Sequence, residues 1–297
     1  MAADSALTAD ISGEMTSIGD MFGFLLMISL IQGITEFLPI SSSGHLVLLP
    51  ALTGRADQGQ LFDVAAHVGT LLAVLWYLRA DLIRMAAATL SFGRADKAAF
   101  QLALTLIYAS IPAILAGLLV ALADPSFLRL AITVALANLA GALWLWWADS
   151  RARTQDDQHS DISPFEAVAA ITAKQGIIIG FAQILALIPG ASRSGVTMTM
   201  ARQLHLPRLT AARFSMLLSV PVIAGAGTLK TADLISDGGL DVGPALLSVI
   251  LLSALFAFIA IRLMMGWLAK ADFRIFVWYR LALAGFLFIA IAAGYIQ

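Results

Sequence analysis

The sequence contains no cysteine. Disulfides, thiolate metal sites and cysteine nucleophiles are thereby excluded. Charge is also scarce: 12% of the 297 residues are Asp, Glu, Lys or Arg. An ordinary soluble domain carries about 25%, so these residues cannot clothe a water-facing surface of this size. The net charge is −1, which gives no electrostatic support to nucleic-acid binding. The first twenty residues hold Asp4, Asp10, Glu14 and Asp20 but neither Lys nor Arg. A secretory leader opens on basic residues, so positions 1–20 read as a polar N-terminal tail and not as a signal peptide.

Apolar residues, by contrast, make up 60% of the chain and fall in long runs. About 20 apolar residues cross a bilayer core. Six segments meet or approach that length: 61–78, 98–123, 127–148, 212–229, 244–268 and 276–296. Two more apolar stretches, 21–52 and 167–201, are interrupted by Pro39, Gly44 and Pro50 in the first and by Pro189, Gly190 and Gly195 in the second. Proline and glycine free backbone groups that cannot face lipid. Such breaks belong inside protein, lining a polar cavity.

The basic residues assign sides. Connections 79–97, 149–166, 202–213 and 269–275 carry Arg79, Arg84, Arg94, Lys97, Arg151, Arg153, Arg202, Arg208, Arg213, Lys270 and Arg274. They read as cytoplasmic, because Lys and Arg favour that side. Loops 53–60, 124–126 and 230–243 hold only Arg55 and Lys230 and read as external. Each interrupted stretch then enters and leaves on one face, as a re-entrant hairpin, and the two enter from opposite faces. The expected architecture is an all-α polytopic membrane protein. It has six transmembrane helices, two oppositely oriented re-entrant hairpins and an inverted-topology repeat. Residues 21–297 form one membrane domain, with a first repeat at 21–148, a polar loop at 149–166 and a second repeat at 167–297. The texts Gly33-Ile-Thr-Glu36-Phe-Leu38 and Gly180-Phe-Ala-Gln183-Ile-Leu185 resemble each other, and each precedes a proline and a serine-rich turn.

The first hairpin places Gln32 and Glu36 four residues apart, on one helix face. An intramembrane carboxylate is costly and by default functional. It can hold a divalent cation or act as a general base; the bland reading is a structural hydrogen bond. Ser41, Ser42 and Ser43 follow Pro39. A serine there is a helix cap or, with a base in reach, a nucleophile. His45 has the chemistry of a base, an acid or a nucleophile. In the second hairpin Ser192 or Ser194 can cap a helix whose first N–H groups form an anion site. Arg193 adds a fork matched to phosphate oxygens; snorkelling is its bland alternative. Thr197 stands four residues beyond Arg193, with a back-bond to its own helix as the plain reading. His67, near the start of a span, can line the cavity or merely pack, with packing the favoured reading, and Asn138 stays open in the same way. Together these groups suit phosphoryl transfer, in which cations offset developing charge and positioning does most of the rest.

On these residues the chain resembles the bacitracin-resistance family of undecaprenyl-pyrophosphate phosphatases. The family pattern is (E/Q)xxxE, a serine-rich turn ending in Gly-His, and PGxSRSxxT. Gln32 to Glu36, Ser41 to His45 and Pro189 to Thr197 match it in order and type. The resemblance implies hydrolysis of a C55 polyprenyl pyrophosphate to the monophosphate, which recycles the lipid carrier of the cell wall. It implies a divalent cation, Mg²⁺ or Ca²⁺, a bacterial inner-membrane location and a site open to the periplasm. Carried over, Ser42, Glu36, His45 and Arg193 are the expected catalytic residues. Gln32, Ser41, Ser43, Ser192, Ser194 and Thr197 are the expected substrate contacts, and Glu36 is the expected metal ligand. Where some members have two carboxylates, this chain has Gln32, so a metal held by two motif carboxylates does not apply. The expected partners are a long-chain polyprenyl pyrophosphate and membrane lipid, with no nucleic acid; a homodimer is compatible with the sequence but not required by it.

Two other functions fit parts of the pattern. A lipid flippase or secondary transporter also uses inverted repeats with broken mid-membrane helices; it would release no phosphate. The acid-phosphatase-like lipid phosphatases need SR-x5-H-x3-D. After Ser192-Arg193, positions 199 and 203 are Thr199 and Gln203, so that alternative fails.

Overall fold

In the computed structural model, residues 18–46, 59–123, 125–152, 162–236 and 243–296 are described. The acidic tail before Ile18 lies outside them, as do positions 53–58 of the loop expected at 53–60, 153–161 of that at 149–166 and 237–242 of that at 230–243. The described residues form helices joined by short connections, and no strand occurs among them. The order is α1 (Ile18–Thr35), α2 (Ser42–Leu46), α3 (Gly59–Tyr77), α4 (Arg79–Leu90), α5 (Lys97–Ala123), α6 (Ala131–Arg151), α7 (Pro164–Ala169), α8 (Ala173–Ala182), α9 (Arg193–Gln203), α10 (Arg208–Ser236), α11 (Pro244–Leu268) and α12 (Arg274–Ala292). Among these, α3, α5, α6, α10, α11 and α12 are long and apolar enough to cross a membrane. They are the six spans read from the sequence, with α10 extending beyond 212–229 at both ends.

One correction concerns the 79–97 connection, read as a loop. Its first twelve residues form α4. Leu82, Met85 and Ala88 turn inward at helical spacing and pack with the main core, while Arg84 and Arg79 stay exposed. The apolar stripe was too short to register as a span, yet it suffices for a surface helix.

The lipid-facing character is visible in what stays outside. Leu72, Leu119, Leu251, Leu263 and Ile289 are exposed, a pattern costly in water but neutral against acyl chains. All six tryptophans fall at 76, 144, 146, 147, 267 and 278, beside the basic connections. Tryptophan favours the headgroup level, so these rings mark one membrane boundary.

Packing between the halves follows an exchange. Helix α1 packs on α11, and α8 packs on α5; α3 also packs on α11, and α6 packs on α12. Glycines allow the close approaches. A Cβ at Gly33 would lie 2.6 Å from Phe256 Cβ on α11, and one at Gly180 would lie 2.1 Å from the carbonyl oxygen of Ala109 on α5. Both distances are far inside van der Waals contact, so glycine is what seats α1 and α8 against their neighbours.

At the basic end, two buried carboxylates hold three arginines. Asp149 accepts from Arg202 Nε at 2.8 Å and from Arg208 Nε at 2.9 Å. Asp81 takes both arms of Arg213, at 2.7 and 2.8 Å. Each carboxylate is buried, and pairing is the condition under which a buried charge is tolerated.

Candidate active site

Helices α1 and α8 both stop ahead of the proline-containing breaks, and the chain restarts after each break in the same way. Ser41 and Ser192 have φ values of 71° and 70°, in the left-handed region that L-residues visit rarely. Ser41 Oγ accepts the N–H of Gly44 at 3.3 Å, and Ser192 Oγ accepts that of Gly195 at 3.1 Å. Each serine thus caps the helix that follows. The second half has four more residues between its matching glycine and its capping serine (Gly180 to Ser192 against Gly33 to Ser41). A 3-10 turn, Gln183–Leu187, takes up that length.

The two breaks meet. Ser194 Oγ donates to the carbonyl of Leu38 at 2.8 Å. Arg193 donates through one guanidinium nitrogen to Glu36 Oε1 at 2.9 Å. The other Glu36 oxygen accepts from Gln32 Nε2 at 2.8 Å. The acid and the guanidinium expected from separate hairpins are therefore in direct contact, and both are largely buried. Phe37 packs beneath Arg193, its ring centroid 5.7 Å from the guanidinium carbon.

Two polar atoms here are fully enclosed and have no partner: Arg193 NH1 and Gln32 Oε1. A buried unsatisfied group costs roughly 1–3 kcal/mol. One is a cationic donor and the other a neutral acceptor, so a phosphate oxygen and a cation would satisfy them respectively.

The remaining expected residues divide. Thr197 is buried, and its hydroxyl contacts its own helix at the carbonyl of Arg193 (2.9 Å) and Ser215 Oγ (2.6 Å); the plain reading of Thr197 holds in this state. His45 Nδ1 lies 2.7 Å from the carbonyl of Ser41, and Nε2 lies 2.6 Å from the Tyr279 hydroxyl. A carbonyl only accepts, so Nδ1 carries the proton and Nε2 receives the tyrosine O–H. Both ring nitrogens are occupied, and the ring stacks on Tyr279. Ser42 is half-buried at the first turn of α2. Among the described residues no hydrogen bond joins Ser42 or His45 to Glu36 or Arg193. For Ser43 only the backbone is described.

His67 corrects its reading as a packing residue: its Nε2 lies 3.7 Å from Glu36 Oε2. Its Nδ1 is held by the carbonyl of Asp63 at 2.8 Å, which turns Nε2 toward the carboxylate. Three residues were missed. Arg280, in α12, is fully buried. Its Nε donates to Asn138 Oδ1 at 2.9 Å, and NH2 reaches the carbonyls of Gly190 and Ala191 at 3.2 and 3.0 Å. Its NH1 has no partner, and it lies where a Cβ on Gly195 would be 2.7 Å away. The signal that found Arg193, an arginine inside an apolar run, was present for Arg280 as well. Gln183, at the position matching Glu36, is buried with neither amide atom partnered. Tyr279 had no signal, since aromatic residues are ordinary at a bilayer boundary.

Among the described residues no three His, Cys, Asp or Glu side chains cluster as a metal cage. Glu36 with Gln32 Oε1 supplies one carboxylate and one amide oxygen. That donor set suits a hard cation that brings substrate phosphate and water as its other ligands.

An all-helical membrane protein with an acid, an arginine and capped helix termini joined at two broken segments belongs to the membrane-embedded enzymes of phosphoryl chemistry. Comparison with known sequences makes the class specific. The model of the bacitracin resistance protein BacA family matches residues 25–286. An undecaprenyl-diphosphatase of Alteromonas mediterranea is 43% identical over 265 residues, covering 89% of this chain and 96% of its own length. Enzymes of the same name from Maricaulis maris and Ruegeria pomeroyi are 45% and 43% identical over 267 and 271 residues, covering 88% and 87% of this chain and 95% and 94% of theirs. The chain belongs to the BacA family. It is a phosphatase and a multi-pass protein of the inner membrane.

Proposed function

We propose that the chain hydrolyses undecaprenyl pyrophosphate to undecaprenyl phosphate and inorganic phosphate, returning the lipid carrier to cell-wall synthesis. The observation that carries this is the contact of Arg193 with Glu36, beside the enclosed and unpartnered Arg193 NH1 and Gln32 Oε1. The substrate class follows from the name shared by the relatives.

Arg193 NH1 and the N–H groups opening α9 receive the terminal phosphate, a helix N-terminus being a ready anion site. A divalent cation, Mg²⁺ or Ca²⁺, held by Glu36 and the Gln32 amide oxygen, would neutralise charge on the pyrophosphate oxygens. Ser42 is the nucleophile. It occupies in the first hairpin the place of Arg193 in the second, directly after a left-handed capping serine, and among the described residues its hydroxyl has no partner. Its proton passes to Glu36 as Oγ attacks the terminal phosphorus. The bond to the bridging oxygen breaks, and the lipid monophosphate leaves. Water then cleaves the phosphoserine. His45 is held by Ser41 and Tyr279 and serves to position α2. Ser41, Ser43, Ser192, Ser194 and Thr197 shape the phosphate pocket.

The two halves are an inverted-topology repeat, and the site opens to the periplasm. Supporting this are the exchange of α1–α11 for α8–α5, the matched glycines Gly33 and Gly180, and the matched capping serines. The basic connections all belong to the other face.

The test is phosphate release from purified protein and undecaprenyl pyrophosphate, with and without chelator. Arg193→Ala and Glu36→Ala should each fall by about 100-fold or more, the scale of losing one preorganised transition-state contact. Trapping of labelled phosphate on the unmodified chain but not on Ser42→Ala supports the serine step. Full activity of Ser42→Ala would leave direct attack by water.

A further inference from the structure

At the basic end of the molecule a cavity of about 690 Å³ opens between α3, α7, α10 and the end of α11. Four cationic residues line it: Arg208, Arg213, Arg262 and Lys270. None of them contacts Glu36, Arg193 or the capping serines, so the site described above does not use them. We propose that this cavity binds the phosphate headgroup of a membrane lipid.

The argument starts from charge. Arg208 and Arg213 are anchored by the buried carboxylates of Asp149 and Asp81, which fixes their guanidinium groups at the wall. The other two have no carboxylate partner among the described residues. The Arg262 guanidinium sits over the Phe258 ring, 5.9 Å from its centroid, and Lys270 is exposed just beyond the end of α11. Among the described residues, four cations against two carboxylates leave the cavity positive. A phosphate monoester, with more than one negative charge and several acceptor oxygens, matches such a set.

Depth and shape select a lipid. The wall includes Gly266 and Leu268, which flank the exposed Trp267. That tryptophan belongs to the ring of indoles at the headgroup level. Leu209 and Met265 also line the cavity, giving acyl chains an apolar surface next to the basic one. Arg213 stands two residues before Ser215, whose hydroxyl meets Thr197. Two residues are about 200° around a helix, so the cavity and the Thr197 contact lie on opposite faces of α10, and the cavity is separate from the catalytic helix α9. The sidedness of the basic residues assigns this entrance to the cytoplasmic leaflet.

The test uses purified full-length protein and native mass spectrometry in detergent, with dioleoyl phosphatidic acid, dioleoyl phosphatidylcholine and inorganic phosphate as separate probes. Phosphatidic acid should be retained and phosphatidylcholine should not. The double variant Arg262→Gln/Lys270→Gln should raise the dissociation constant for phosphatidic acid by at least about tenfold, the loss of roughly one charged contact. The double variant Lys97→Gln/Lys174→Gln, with the same change of net charge outside the cavity, should leave it unchanged. Equal losses in both double variants would mean diffuse surface charge and overturn the site. Equal retention of the two lipids would overturn it too. Binding of inorganic phosphate alone, with nothing gained from acyl chains, would overturn the lipid assignment.

Discussion

Ser41 and Ser192, 151 positions apart in sequence, share a left-handed backbone, and each caps a helix through the N–H of the glycine three residues on. The conformation costs roughly 1–2 kcal/mol for a residue with a Cβ. The cap offsets about 0.5–2 kcal/mol of it. A short polar side chain supplies the cap that offsets this strain.

A consequence is a widened gap between two substitutions at Ser192. At a helix N-cap glycine is already better tolerated than alanine, and the positive φ adds to that difference. Here Ser192→Ala loses the cap and keeps the strain, whereas Ser192→Gly loses the cap and relieves the strain. The glycine variant should be the more stable by roughly 1 kcal/mol. Thermal unfolding in detergent should therefore place its midpoint above that of the alanine variant. An alanine variant matching the unmodified protein would refute the cap.

Gly180 tests the packing of α8. Its missing Cβ is what lets α8 lie on the backbone of Ala109. Backbone cannot rotate away as a side chain can, so Gly180→Ala must move a helix. Overpacking of this kind costs about 1–3 kcal/mol. The unfolding midpoint should drop by several degrees, and activity should fall with it because α8 leads into the turn that carries Arg193. Gly225→Ala, inside α10 where nothing lies within 4 Å of the new carbon, should leave activity unchanged and should not lower the midpoint, since alanine favours a helix over glycine by about 0.5–1 kcal/mol.

The spans were legible because lipid imposes one requirement, length of apolar sequence, and the chain states it six times. The site was legible in part for the opposite reason: Glu36 and Arg193 stand out against apolar surroundings. The two breaks were expected to bring them around one headgroup; the ion pair between them is what the structure adds. The partners of His45 and Thr197 were not readable, since Tyr279 and Ser215 are unremarkable residues on distant helices. Nor was His67, because 31 residues and a loop separate it from Glu36 and only packing of α3 against α1 and α11 brings it near. Arg280 was overlooked within a span already counted as apolar.

Arg280 is a buried guanidinium whose described partners are an amide and two carbonyls. It ties the turn at Gly190 and Ala191 to α12 and stands behind the first turn of α9. Arg280→Lys keeps the charge but removes the fork, so the turn and Asn138 cannot all be held at once. The variant should fold, bind substrate less well and lose at least about tenfold in turnover, the scale of one charged hydrogen bond. Steady-state kinetics of phosphate release, with circular dichroism to verify the fold, measure this. Unchanged turnover would confine Arg280 to a passive role in packing.

Gln32 bears on the cation. Its Nε2 now donates to Glu36 Oε2, leaving Oε1 enclosed without a partner. In Gln32→Glu that donor disappears, and two carboxylates four residues apart repel unless a proton or a cation lies between them. A divalent cation shared by both would be bound more tightly than by one carboxylate and an amide, since ligand charge tunes affinity for hard cations. The half-saturating Mg²⁺ or Ca²⁺ concentration for phosphate release should therefore fall several-fold in Gln32→Glu, and activity without added metal should fall below that of the unmodified chain. Titration of both proteins from a chelated start measures the two effects together. If the metal curve does not move, Gln32 is not beside the cation, and Glu36 must be held to its role as base and partner of Arg193.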